Sequence, residues 1–241
     1  MTMPIALPVA RPGSVPLSTR RQLIAGAAAL GGLALLPGCA SPAAPLSLEE
    51  AVRRLLLVAT ENAFARLTAP GGLWDEQIAR LDLPALLGGR GEVLARILGS
   101  ARIRTRLEAR LADLAIDASY RAAPVVADAV RVIGVRNALA IIRGGPDAAS
   151  AYLRAEMGSA LIDAMLPELG EALRLSRDPL IGDVVALLAG PEAAGMAERF
   201  GRAIEDAIWA AIAREEAAIR ADPEATRDPL LIGVFGVGQR L

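Results

Sequence analysis

The stretch "LEEAVRRLLLVATENAFARL" (Leu48–Leu67) shows most directly how this chain of 241 residues folds. Its apolar residues recur at helical spacing and share one stripe, namely Leu48, Val52, Leu55, Leu56, Ala59, Ala63 and Leu67. Ser47 and Glu50 have the spacing of a capping box immediately before that stripe. The pattern predicts an amphipathic helix over 47–68, whose apolar face must be covered by other elements.

The same kind of pattern extends to the end of the chain. A helix is predicted from Ser100 to a stop at Pro124, after an irregular link over 69–84 and a break near 88–91. Further helices are predicted over 125–133, 136–143, 147–164, 168–175, 179–188 and 192–221, the last closed by Pro223. Because no stretch alternates β-branched residues, we predict an all-α fold: one compact domain over 47–241 with about seven to nine helices.

The composition argues against several functions. The net charge is -1, so the chain lacks the basic excess that a nucleic-acid binder needs to neutralise phosphates. It has no histidine, which removes a histidine base, a histidine metal ligand and any Ser-His-Asp arrangement within the chain. Its single cysteine allows neither an internal disulfide nor a thiolate zinc cluster. We expect no cofactor and assign no metal site, and any catalysis would depend on paired carboxylates or on oxygen-ligated metals.

The N-terminal stretch "TRRQLIAGAAALGGLALLPGCAS" (Thr19–Ser41) indicates an address signal. Its uncharged run stops at Pro37, short of the roughly 20 apolar residues that a membrane-spanning helix requires. Arg20 and Arg21, followed by one variable residue and then two apolar residues, resemble a twin-arginine export signal. The run ends in a Leu-Pro-Gly-Cys sequence that resembles a bacterial lipobox, with Cys39 as the residue that receives the lipid.

We therefore predict a cleaved lipoprotein signal peptide over 1–38, followed by the lipidated Cys39 and a short tether over 39–46. An uncleaved N-terminal anchor and a structural helix are the alternatives. Acyl chains on Cys39 would hold the domain at the membrane without a spanning helix. Ala40 and Ser41 resemble the residues of lipoproteins that are forwarded to an outer membrane. The expected location is the periplasmic side of the cell envelope, on the outer membrane where one exists.

Five polar residues are candidates for a polar cluster: Glu61, Asn62, Glu215, Glu216 and Arg220. Glu215 interrupts an apolar stripe of the last helix, and a carboxylate there must be paired, protonated or solvated at an edge. Arg220 follows Glu216 by four residues, which is the spacing of a surface ion pair on a helix. Structural pairing is the favoured interpretation, and an anion site with an arginine clamp or acid–base chemistry are the others. No residue is assigned as catalytic.

Several separated segments carry a resemblance to a known family. They are "TENAF" (60–64), "GGLWDEQIARLDLP" (71–84), "AAP" (122–124), "IIRGGPDAASAYLR" (141–154) and "IAREEAAIRADPEATRDPLLIGVFG" (212–236). Their order and spacing resemble the domain of unknown function 4197 family of exported bacterial helical proteins. The resemblance implies an all-helical protein that is secreted or lipid-anchored, and it implies no activity, substrate or cofactor.

Two classes of function remain. The first is a lipid-anchored structural or binding protein of the envelope. It would contact the membrane through its lipid, and its helical domain would bind an envelope protein, a lipid or a small apolar ligand. The second is a carboxylate-dependent hydrolase or lyase of the envelope. The enzyme would need carboxylates that converge in a concave pocket, whereas the binder would need a groove or an exposed patch. The poor inventory of catalytic groups favours the binder.

Overall fold

Helices form the regular secondary structure of the residues described by the computed structural model, which are 47–69, 73–86, 99–174, 182, 184 and 191–236. In these ranges the α-helices are α1 (Leu48–Leu67), α2 (Leu73–Ala79), α3 (Leu83–Leu86), α4 (Ala101–Val132), α5 (Ala138–Ile142), α6 (Ala148–Met157), α7 (Ala160–Arg174), α8 (Pro191–Ala221) and α9 (Pro229–Phe235). A short 3-10 helix, Pro223–Thr226, connects α8 to α9. These ranges contain no strand, so the prediction of an all-α fold is confirmed.

Helix α1 lies at the centre of the packing and contacts α4, α5, α8 and α9. Its apolar stripe is buried from Val52 to Leu67, as the spacing predicts. Leu48 was expected on the same buried stripe, but it is exposed because it lies in the first turn, beyond the buried part of the stripe. The Ser47 hydroxyl accepts a hydrogen bond from the backbone N–H of Glu50 at 3.3 Å, which is the serine half of the predicted capping box. The Glu50 carboxylate instead accepts from Arg53 at 2.7 Å.

The long helix α4 continues through Pro124, so the predicted stop there is wrong. Pro124 has no N–H, which deprives the carbonyl of Tyr120 of its helical partner. Both residues are exposed, and water can therefore satisfy that carbonyl. Ala122 and Val126, on either side of the proline, are fully buried, and their packing keeps both halves of the helix in place. The helices predicted over 100–124 and 125–133 are one element.

The helix predicted over 147–164 is divided by a glycine rather than by a proline. Gly158 adopts a φ of 54°, a left-handed conformation that ends α6 inside the helix predicted over 147–164. The gap predicted between the helices over 147–164 and 168–175 is absent, because Pro167 lies inside α7. It is exposed, as is Asp163, whose carbonyl it leaves without a helical partner. Exposure to water again allows the helix to continue through a proline.

The link predicted to be irregular over 69–84 contains α2 and the start of α3. Trp74 of α2 is buried, and its indole N–H donates to the hydroxyl of Ser119 on α4 at 3.0 Å. Helix α9 was not predicted. The break near 88–91 and nearly all of the helix predicted over 179–188 lie outside the described residues.

The four longest helices of the described chain enclose most of the core. Helix α8 packs on α1 and α7. Helix α4 packs on the same two helices. The largest fully buried side chains come from these elements and their neighbours, and include Phe200, Leu55, Leu107 and Leu161. Within the described ranges, every helix is too short or too polar to cross a membrane.

A substitution at Pro124 tests the continuity of α4. Pro124→Ala restores the helical hydrogen bond to Tyr120 and should raise the free energy of unfolding by about 1–3 kcal/mol, measured by denaturant unfolding. Pro229→Ala is the matched control, because Pro229 occupies the first turn of α9, where no helical bond is lost. A Pro124→Ala protein no more stable than wild type would contradict an uninterrupted α4.

Candidate functional site

The carboxylate of Glu216, on α8, is fully buried and holds the start of α6. Its Oε1 accepts a hydrogen bond from the N–H of Ala149 at 2.9 Å. Its Oε2 accepts from the N–H of Ser150 at 2.7 Å and from the Ser150 hydroxyl at 2.6 Å. Asp147 occupies the N-cap position of α6, yet its side chain makes no capping bond. Glu216 therefore caps α6 from a different helix, where the helix dipole also favours a negative charge.

Arg220 lies one turn further along α8 and holds the end of α5. Its Nε donates to Glu216 Oε1 at 2.8 Å, and its two terminal nitrogens donate to the carbonyls of Ile142 and Ile141 at 2.9 and 3.0 Å. The guanidinium carbon is 4.9 Å from the centre of the Phe235 ring on α9, a cation–π distance. The charged pair thus joins α5, α6, α8 and α9.

The geometry of this pair is that of a structural element rather than a reactive one. Each oxygen of Glu216 accepts bonds from two groups, and the Arg220 side chain is only 10% exposed. A group acting as base or ligand needs an oxygen that can reach a substrate. The donors around Glu216 are instead those that two adjoining helix ends leave unsatisfied. The surface pair expected from the sequence exists, but it is buried.

The structure separates the other members of the expected polar cluster from this pair. Glu215 is buried and forms an ion pair with Arg66 at 3.2 Å. The Arg66 side chain is 67% exposed, so this contact lies at the surface. Glu61 and Asn62 are exposed on α1. Arg20, Arg21 and Cys39 precede the described residues.

The turn that presents α6 to Glu216 requires a glycine. A Cβ at Gly144 would lie 2.6 Å from the Cβ of Ala148 and 3.1 Å from the carbonyl oxygen of Ala140. The next glycine, Gly145, is less constrained, since its Cβ would meet only the Asp147 side chain at an ordinary 3.5 Å. The helices predicted over 136–143 and 147–164 leave this turn between them, but no sequence pattern indicates that the cap of the second helix comes from α8.

A second carboxylate ties another helix end to α1. Asp228 accepts bonds from the N–H groups of Leu230 and Leu231 at the start of α9, and from Arg54 Nε at 2.6 Å. Burial acts to raise the pKa of the Asp228 carboxyl, but the hydrogen bonds from Arg54 and the two amides outweigh it, so that pKa lies below its usual value. The same contact raises the pKa of Arg54.

An open groove of about 700 Å³ lies between α6, α7 and α8. Its apolar lining comes from Ala151, Ala155, Ile162 and Leu166, and its charged lining from Arg154, Arg202, Asp163, Glu198 and Glu205. The opposite charges alternate and pair: Arg202 contacts Glu198 at 2.6 Å, and Arg154 contacts the neighbouring Asp206 at 2.5 Å. Sequence reasoning missed this groove, because its residues come from three helices.

The buried pair can be tested with two substitutions at adjacent positions. Glu216→Gln removes the charge facing Arg220 and sets an amide NH₂ group against donors, so it should lower the free energy of unfolding by about 3–5 kcal/mol. Glu215→Gln breaks only a contact at the surface and should cost less than about 1 kcal/mol. Denaturant unfolding measures both. Equal stabilities of the two variants would refute the structural role of Glu216.

Among the described residues, histidine, cysteine and acidic side chains form no group of three or more that could hold a metal ion. No curated protein and no solved structure matches the chain. The family model described as "Protein of unknown function (DUF4197)" matches residues 44–236, in agreement with the resemblance stated above. Since the match covers well over half of the sequence, the chain belongs to the DUF4197 family.

Proposed function

We propose that the chain is a lipid-anchored protein of the cell envelope, whose helical domain binds a partner protein in the groove between α6, α7 and α8. The anchoring is supported by the order of three features in the sequence: the arginine pair Arg20-Arg21, a short apolar run and Cys39. The domain begins at Ser47, eight residues after that cysteine, which leaves a short tether between lipid and fold.

The binding role is supported by the mixture of groups that line the groove. Small and aliphatic side chains supply apolar surface, while arginines and carboxylates of both signs stand beside them. A partner segment that carries both apolar and charged side chains would complement this lining, whereas a purely apolar ligand would leave the charges unpaired. The most suitable occupant is therefore a segment of another envelope protein.

The alternative function, a carboxylate-dependent hydrolase or lyase, is favoured by one observation: Asp163, Glu198 and Glu205 line the same groove. Their surroundings favour binding instead. Asp163 and Glu198 are exposed, and a general acid needs a carboxyl that is shielded from water. Glu198, Arg202 and Glu205 alternate in charge along one face of α8, which is the arrangement of a solvated stripe.

The lipid anchor is tested by cell fractionation. Cys39→Ser should move the protein from the membrane fraction to the soluble fraction, because the acyl chains have no other attachment point in the chain. Arg20→Lys combined with Arg21→Lys should leave the unprocessed protein in the cytoplasm. The anchor proposal fails if Cys39→Ser protein stays in the membrane fraction as firmly as wild type.

The groove is tested by photocrosslinking in cells. Benzoylphenylalanine at Ala155, which lines the groove, should give one discrete adduct, and the same group at Ala218, exposed elsewhere on α8, should not. Ala151→Trp fills the groove and should abolish the Ala155 adduct. Asp163→Asn with Glu198→Gln should weaken the Ala155 adduct, because it removes two of the charges that the partner segment complements. Equal adducts from both positions would rule out the groove as the binding site.

A further inference from the structure

The segment between α4 and α6 exposes two large apolar side chains. Val132, at the end of α4, is 83% exposed, and Leu139 on α5 is 45% exposed. Their neighbours Ile133, Val135 and Ile141 are buried, so the segment turns one set of residues inward and another outward. Leu48 and Tyr120 are the other large apolar side chains that are exposed in the described part of the chain.

The exposed residues of the same segment are also cationic. No acidic residue occurs from 129 to 146, while three arginines do: Arg131, Arg136 and Arg143. Arg131 pairs with Asp128 at 2.5 Å. Arg136 and Arg143 are exposed, and within the described part of the chain no carboxylate is paired with either. Val132, Arg136, Leu139 and Arg143 are called the basic apolar surface below.

This surface lies within reach of the proposed anchor. Arg53 on α1 donates to the carbonyl of Ile133 at 3.4 Å, which places the first turns of α1 beside the segment. Arg53 is six residues after Ser47, about 9 Å along the helix. The eight residues from Cys39 to Ser47 can span at most about 28 Å when extended. A membrane that holds Cys39 can therefore also contact the basic apolar surface.

We infer that the basic apolar surface lies on the membrane that carries the Cys39 lipid, and this inference rests on the anchoring proposed above. Val132 and Leu139 enter the interfacial layer, and Arg136 and Arg143 bind the phosphates of anionic phospholipids. Two apolar side chains and two charges are too few to recruit a protein from solution. They suffice to orient a domain that a lipid already keeps at the surface, because the tether makes the contact intramolecular.

A second copy of the chain fits this surface less well. In a two-fold symmetric dimer the same patch faces itself, which would bring the unpaired Arg136 and Arg143 of one copy close to those of the other. Leu48 is also exposed, but it is not counted in the basic apolar surface because it is adjacent to the carboxylates of Glu49 and Glu50 at the start of α1. Anionic phosphates provide the complementary charge that Arg136 and Arg143 lack among the residues that the structure describes.

The inference is tested with the full mature lipoprotein reconstituted into vesicles. Because the lipid occupies the only native thiol, a cysteine introduced by Val132→Cys or Leu139→Cys can be labelled alone with a nitrobenzoxadiazole dye. Ala218→Cys, on α8, is the control. On vesicles of phosphatidylcholine and phosphatidylglycerol, soluble dithionite should reduce the dye several-fold more slowly at 132 and 139 than at 218. On phosphatidylcholine alone, the difference should shrink.

Two further readouts separate the possible failures. Arg136→Glu combined with Arg143→Glu should remove the protection of a dye at 139 while the lipidated protein remains on the vesicles, and circular dichroism checks its fold. Mass spectrometry of the Cys39 peptide reports the lipid directly. A missing lipid would overturn both the anchor and the surface. A lipidated protein whose dyes at 132 and 139 are as accessible as at 218 would overturn the surface alone.

Discussion

The buried pair of Glu216 and Arg220 is the constraint on which the arrangement of the C-terminal helices depends. A carboxylate and a guanidinium in an apolar core are tolerated only if hydrogen bonds replace the water that each has lost. Here the replacement comes from the amides that begin α6 and the carbonyls that end α5, which themselves need partners. The two requirements satisfy each other, so the turn between α5 and α6 is held on α8 at one defined position.

The fold class followed from the apolar stripes of α1 and α8, since each is long, regular and bounded by recognisable ends. The internal boundaries were harder to predict. Pro124 and Pro167 were read as stops because each removes a helical hydrogen bond, but both lie on exposed faces where water compensates. Gly158 was overlooked, since a single glycine inside a helical pattern signals a break only when its φ is positive. Exposure and φ depend on the tertiary structure.

The polar residues show where periodicity reaches its limit. Helical periodicity predicts Glu215 on the apolar stripe and Glu216 on the surface, yet Glu215 forms an ion pair with an exposed arginine and Glu216 is the more deeply buried of the two. Adjacent residues are about 100° apart around a helix, so two residues that flank the border of a stripe exchange depth when the centre of the stripe shifts by a fraction of that angle. The spacing of Glu216 and Arg220 was sufficient to predict their pairing. Apart from the Ser150 hydroxyl and the Phe235 ring, their other partners are backbone groups 66 to 79 residues away, and backbone groups carry no sequence signature.

The cap that α8 supplies to α6 has a consequence for the order in which the chain folds. The residues of α5 and α6 are synthesised before Glu216, which follows Ser150 by 66 residues. Until that carboxylate is present, the facing ends of the two helices remain hydrated and incompletely ordered. The helices α5 and α6 therefore form locally before they are fixed on α8. Closing the long loop between Ser150 and Glu216 delays their attachment to α8. A chain that ends before Glu216 therefore has unsatisfied amides and carbonyls at the facing ends of α5 and α6, where the complete molecule has a buried ion pair.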